Sequence, residues 1–330
     1  MPNLTTDRTA EHPQSRQPQS SRFEVAGHLG WRSTIKLCAA AALLAGGLFL
    51  VIHSGVIATI AGICLIGLVM VHALELQHET LHGIAFRSRR VNEVVGICLG
   101  VPMLVSFADY QASHLRHHRD LGTDRSREFF DYGNQYGNED RGDASRLALL
   151  AVRFLMVNYY RQFAGRVWLT ITRRPIPGES LARSRRIRRD HLVILGALLL
   201  ATGLSVAVGR PLILTAWLLP FALVACPVHA LVELPEHYGC QTDTTDVFLN
   251  TRTVRTSRFL SWFVNANNYH VEHHLKPRLP FSELPSLHRD VCASSRYVAD
   301  GYRGILRDIL RSMWRPSALA KPRQARGDAA

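Results

Sequence analysis

VIATIAGICLIGLVMVHALELQHETLH, residues 56–82, passes without a break from an apolar run into a pair of histidines. The run from Val56 to about Leu74 is long enough, at roughly 1.5 Å per residue, to cross the ~30 Å hydrocarbon core of a bilayer as a helix. His78 and His82 follow at i,i+4, one turn apart on one face if that helix continues. The stretch therefore predicts a membrane helix that delivers two imidazoles to one side of the bilayer.

Working outward, Thr34 to Ile52 forms a second apolar run, separated from the first by His53-Ser54-Gly55. A further pair runs from His191 to Val208 and from Pro211 to Val232, with Gly209-Arg210-Pro211 as its turn. The expected fold is an all-α integral membrane protein with about four transmembrane helices in two hairpins. The spans are placed at about 34–52, 56–74, 191–208 and 211–232, with a cytoplasmic helical cap carrying the histidines. Seven arginines precede the third span (Arg173, Arg174, Arg183, Arg185, Arg186, Arg188 and Arg189), while the two short turns hold only Arg210. Positive charge marks the cytoplasmic face, so both termini and the histidines are expected there, in a bacterial inner membrane. Val91–Phe107 and Leu147–Ile171 are apolar but interrupted by polar residues, and are expected as helices at the cytoplasmic interface. Residues 1–21 are polar with Pro and Ser and are expected to form a disordered tail. A single domain is expected over 22–312, with a flexible tail over 313–330.

Composition agrees with this division. Apolar residues make up 47% of the 330, yet mean hydropathy is only +0.01, because apolar blocks alternate with arginine-rich ones. The net charge of +13 accompanies no zinc-finger, RRM or helix-turn-helix pattern, so nucleic acid is not an expected partner. Of six cysteines, Cys38, Cys64, Cys98 and Cys226 lie in apolar runs and none has CxxC spacing. They are expected to be small core residues rather than a disulfide frame.

Eight of the sixteen histidines fall in three clusters: His78-Glu-Thr-Leu-His82, His114-Leu-Arg-His117-His118 and His270-Val-Glu-His273-His274. A lone histidine is most often a satisfied core or surface residue, but spacings of three and four let each triplet aim several imidazoles at one centre. One zinc takes three or four protein ligands, so eight imply two metal ions. His78 to His82 also matches the HExxH of zinc proteases, with Glu79 as base, but that leaves six clustered histidines unexplained.

HxxxH, HxxHH and HxxHH in this order resemble the histidine boxes of the membrane-bound fatty acid desaturase and hydroxylase superfamily. The likeness extends to Leu249-Asn-Thr-Arg-Thr-Val-Arg255 and Asn268-Tyr-His-Val-Glu-His-His-Leu-Lys-Pro277, and covers roughly residues 35–290. It implies a centre of two iron ions, with O2 as co-substrate, attacking an unactivated C–H bond. The implied ligands are His78, His82, His114, His117, His118, His270, His273 and His274. A ninth is usual shortly before the third box, and His237 in Glu236-His237-Tyr-Gly matches that place. Asp109, Asp120 and Glu233 are expected to orient imidazoles. Glu79 and Glu272 are expected beside ligands or as charge balance, and His229 within the span or beside a ligand. His72, six residues before His78, is turned away from it and left out.

The implied activity is O2-dependent desaturation of a fatty acyl chain carried by lipid, CoA or a carrier protein. A hydroxylase or ketolase on a fatty acid, carotenoid or other apolar substrate uses the same ligand set. The third alternative is a non-enzymatic membrane metal-binding protein, against which the ordered helical spacing argues. No cytochrome b5-like extension and no CxxxxCxxC pattern is present, so electrons are expected from a separate donor such as ferredoxin or a cytochrome b5-like protein.

Overall fold

A computed structural model describes residues 30–53, 55–130 and 146–314. The 1–21 tail, and the 313–330 tail beyond Trp314, lie outside the described residues. The described residues are mostly helical, and among them four helices are long and apolar enough to cross a membrane: Gly30–His53 (α1), Val56–Leu81 (α2), Leu181–Val208 (α7) and the segment Leu214–Glu236.

α2 is the central pillar. Its first half exposes apolar side chains such as Ile57 (85%), whereas every residue from Val69 to Leu81 is buried. A helix buried all round at one end and apolar on the surface at the other suits a span of which one end enters a protein core. Small residues let its neighbours close in. A Cβ on Gly62 would stand 2.7 Å from the Gly47 carbonyl of α1, and one on Gly67 would stand 2.7 Å from the Pro220 carbonyl of the fourth span. This is the close backbone approach that small residues permit between membrane helices. By contrast, α1 and α7 expose apolar faces to the surroundings, including Phe49 (61%), Leu199 (74%) and Val206 (77%). Such faces belong in lipid.

Two boundaries differ from the expected spans. α7 begins at Leu181, ten residues before His191, because Ser180 caps it by accepting from the Arg183 N–H and the arginines are good helix formers. Its 28 residues make about 42 Å, so its basic first turns stand clear of the hydrocarbon. α2 likewise continues past Leu74 through the first histidine cluster. The fourth span is irregular: two π-helical turns, Leu214–Leu218 and Phe221–Ala225, precede the α-helical Cys226–Glu233 (α8). Pro220 and Pro227 lack backbone N–H groups, which breaks the regular bonding and accommodates the wider turns. Among the cysteines, Cys226 is a core residue, but Cys38, Cys64 and Cys98 are exposed, and none of the six is paired.

The two interrupted segments become short helices. Arg89–Gly100 (α3) bends by 98° into Phe107–Asp120 (α4) at a left-handed Leu104, and neither alone is long enough to span. Arg146–Phe154 (α5) and Val157–Ile171 (α6) are similarly short. α4 is pinned to α7 by Asp190, which is 1% exposed and accepts from the Ala108 N–H at 2.8 Å and the Ser106 hydroxyl at 3.1 Å. A carboxylate at a helix N-terminus satisfies donors the helix itself leaves free.

After the fourth span come Val247–Asn250 (α9), Arg252–Arg255 (β1), Arg258–Phe263 (α10), His270–Leu275 (α11) and Leu284–Val291 (α12). Tyr297–Asp300 (β2) and Tyr302–Trp314 (α13) complete the described chain. β1 and β2 pair in parallel, Arg252 opposite Tyr297 and Arg255 opposite Asp300. This ribbon is the one departure from the all-α expectation, and its four-residue strands are too short to announce themselves by alternation.

Candidate metal centre

Four elements converge on one end of α2. α2 and its first following residue carry His78 and His82, α4 carries His114, His117 and His118, and α11 carries His270, His273 and His274. His237 follows the end of the fourth span. All nine expected histidines are brought together, and they divide into two groups. His78, His82, His114, His118 and His273 form one; His117, His237, His270 and His274 form the other. Each HxxHH cluster is therefore split. His117 and His118 are neighbours in sequence, but about 100° apart around the helix, and face different groups.

In the five-membered group, His114 Nε2 lies 2.7 Å from His78 Nε2, 2.9 Å from His82 Nε2 and 2.9 Å from His118 Nε2. His118 Nε2 is 3.0 Å from His273 Nε2. In the other, His274 Nε2 stands 3.1 Å from His270 Nε2 and 3.2 Å from His117 Nε2, and His270 Nε2 stands 3.3 Å from His237 Nε2. A neutral imidazole has a single N–H, so three short contacts at His114 Nε2 cannot all be hydrogen bonds. Donors about 2.1 Å from a common ion are roughly 3.0 Å apart at right angles and 3.4 Å apart in a tetrahedron. The observed spacings match converging lone pairs.

The surroundings favour neutral rings. Burial pushes the His82 imidazole down to about 3, with Arg278 adding to the effect. Burial also brings His237 to about 4, against the pull of the Asn250 carbonyl. Neutral imidazole is the form that ligates a metal. Outer contacts fix the rings: His237 Nδ1–H donates to the Asn250 carbonyl at 2.9 Å, and His117 Nδ1 lies 3.0 Å from Glu128 Oε1. Glu236 Oε2 lies 3.1 Å from His270 Nε2, on the side where the four rings meet, and Glu236 Oε1 accepts from Asn267 at 2.8 Å.

The supporting carboxylates are not the expected ones. Asp109 faces Arg166, with Nε 3.2 Å from Oδ2, and Asp120 takes both arms of Arg119 at 2.8 Å. Among the described residues neither bonds an imidazole of the centre. Glu233 meets His229 at 3.3 Å and Tyr110 at 3.5 Å instead. Glu79 accepts from the Phe281 N–H at 3.3 Å and from Asn265 at 3.3 Å, while Glu272 accepts from Thr253 and His288, each at 2.6 Å. Glu79 thus fastens the segments on either side of α11 to α2, and Glu272 ties α11 to β1 and α12. His72 is turned away as expected, its Nδ1 bonding the Phe263 carbonyl at 2.6 Å. Glu128 and Glu236 went unnoticed in the sequence. Glu236 sits beside His237 and carried a signal; Glu128 is ten residues past His118 in an irregular segment and carried none.

The family model described as fatty acid desaturase matches residues 54–303. The chain belongs to the fatty acid desaturase family. The match covers every histidine of both groups and three of the four apolar spans. No individual curated protein matches the chain. Membership implies an oxidoreductase of the desaturase or hydroxylase kind for this desaturase-family protein, and its two histidine groups are ones that could each hold a metal ion.

Proposed function

We propose that the protein is an O2-dependent fatty acyl desaturase whose two irons are held by His78, His82, His114, His118 and His273 on one side and His117, His237, His270 and His274 on the other. The observation that carries this reading is the convergence of nine Nε2 atoms into two adjoining groups at the buried end of a membrane helix. Iron bound there supplies activation of O2 and attack on an unactivated C–H bond. Removing two hydrogens from the chain, with two electrons and two protons added, takes O2 to two waters. The electrons come from a separate ferredoxin or cytochrome b5-like donor.

The protein's own part is to hold and to exclude. His270 and His273 are 2% and 0% exposed, which keeps bulk water from the rings. Phe281 stands edge-on to His78 and His273 at 5.2 and 4.9 Å, and Tyr110 flanks His114 at 5.6 Å. These rings wall one side of the five-histidine group with apolar surface suited to an acyl chain. Glu128 and the Asn250 carbonyl keep His117 and His237 in register.

In this reading both termini and the centre face the cytoplasm, because the basic start of α7 lies at the same end as the histidines. That face, rich in arginine, is the docking surface for an acidic donor. Expression in a host of defined lipid content, followed by mass spectrometry, tests the activity. Acyl chains that lose two hydrogens support it; chains that gain oxygen identify a hydroxylase instead. Activity retained in His117→Ala and His273→Ala refutes the centre.

A further inference from the structure

Outside the nine histidines, one more set of donors converges among the described residues. Glu75 on α2, with His229 and Glu233 on α8, brings a carboxylate oxygen, a ring nitrogen and a second carboxylate oxygen within 4.8 Å of one another. Glu75 is 1% exposed and His229 0%. His229 and Glu233 are one helical turn apart, with Nε2 3.3 Å from Oε1. The Tyr110 hydroxyl donates to that same oxygen at 3.5 Å, and Phe130 covers His229 with ring centroids 4.6 Å apart. Among the described residues, no hydrogen bond of good geometry reaches either side-chain oxygen of Glu75. The Asn267 NH2 beside it donates one N–H to Glu236 at 2.8 Å, and its second acts on Glu75 as a single neutral donor that cannot balance a carboxylate. Among the described residues, no lysine or arginine forms an ion pair with Glu75 or Glu233.

Two carboxylates this close, one of them fully buried and neither paired with a lysine or arginine, repel each other when both are ionised, and the buried one bears a desolvation cost as well. A divalent cation removes both penalties together, with the imidazole lone pair as a third donor. We infer that Glu75, His229 and Glu233 form a third metal site, distinct from the two histidine groups, for a divalent ion of the zinc, manganese or iron(II) class. Two carboxylates and a neutral imidazole leave that site electrically neutral with its ion in place. The mixed oxygen and nitrogen set suits these ions, whereas calcium and magnesium take oxygen donors. Three protein donors leave one position for water. The ion ties α2, one turn before the first histidine box, to α8, whose end leads to His237. Its role is to hold those two helices in register beneath the histidine centre.

Metal content per chain, measured on the purified full-length protein by plasma mass spectrometry, tests the site. The expected result is three metal ions in the wild type and two in Glu75→Gln and in Glu233→Gln, with the iron absorption spectrum unchanged. Variants that keep the wild-type count overturn the inference. So does a protonated-carboxyl infrared band in the wild type that Glu75→Gln removes, because a proton then neutralises the pair. A fall from one ion to none leaves this site standing and removes the histidine centre instead. If both variants aggregate, the wild-type count decides: three supports the site and two overturns it.

Discussion

Stripping the metal leaves a chain that acid destabilises steeply. His82 and His237 have imidazoles held at about 3 and about 4 by burial, against 6.5 in an unfolded chain. Between pH 6.5 and those values the unfolded state binds protons that the folded state refuses. Stability therefore rises with pH across that window, and is lost as pH falls. At pH 5 each ring lies about 1.5 pH units below its unfolded pKa, which corresponds to about 2 kcal/mol apiece and about 4 kcal/mol together. Against a total stability of roughly 5–15 kcal/mol, this is a large fraction. With an unfolding entropy of about 2.1 cal/mol/K per residue, it corresponds in a chain of this size to a fall in unfolding midpoint of roughly 6 °C between pH 7.5 and pH 5. Bound metal occupies the same lone pairs and adds its own binding energy to the folded state, so the loaded protein is expected to hold its midpoint further into acid. Thermal unfolding in detergent, followed by tryptophan fluorescence with and without chelation, measures both. A metal-free midpoint that stays flat from pH 7.5 to pH 5 refutes the argument that burial keeps these rings neutral.

Unequal ligand numbers predict unequal mutants. His237→Ala leaves three imidazoles in its group, enough to hold an ion but more weakly, and is expected to lose metal to a chelator more readily than His82→Ala, which leaves four. Metal analysis of the two variants after chelation separates them. Glu128→Ala removes the oxygen 3.0 Å from His117 Nδ1 and is expected to weaken metal binding about 10–100-fold, read by competition with a chelator. Gly122 has φ +80° and packs its α-carbon against the Thr244 carbonyl, so Gly122→Ala combines backbone strain with a backbone clash. A loss of about 1–3 kcal/mol is expected in denaturant unfolding, and no loss refutes the packing there.

Much of the centre was legible in the sequence because it rests on helical spacing. His78 and His82, or His114 and His118, share a helix face wherever that helix sits. The helices themselves follow from apolar runs long enough to cross a bilayer. His237 was legible for a different reason, its place after the last span in a chain that resembles the family. The carboxylates were less so. Asp109 and Asp120 lie close to histidines in sequence, but face away from them around α4 towards Arg166 and Arg119. Glu75 looks like an ordinary polar residue at the end of a span until α8 brings His229 and Glu233 against it.

The sequence by itself determined that four helices are long and apolar enough to cross a membrane and that eight clustered histidines are spaced to share helix faces. Those facts depend on the period of the helix and the thickness of a bilayer, both local matters. Only the tertiary structure decided that the histidines divide five and four, with His117 and His118 on different sides. It also decided which carboxylates support them. That division depends on the rotation of α4 and α11 against α2, which is set by the anchor at Asp190 and the segments tied by Glu79 and Glu272, contacts between residues far apart in the chain.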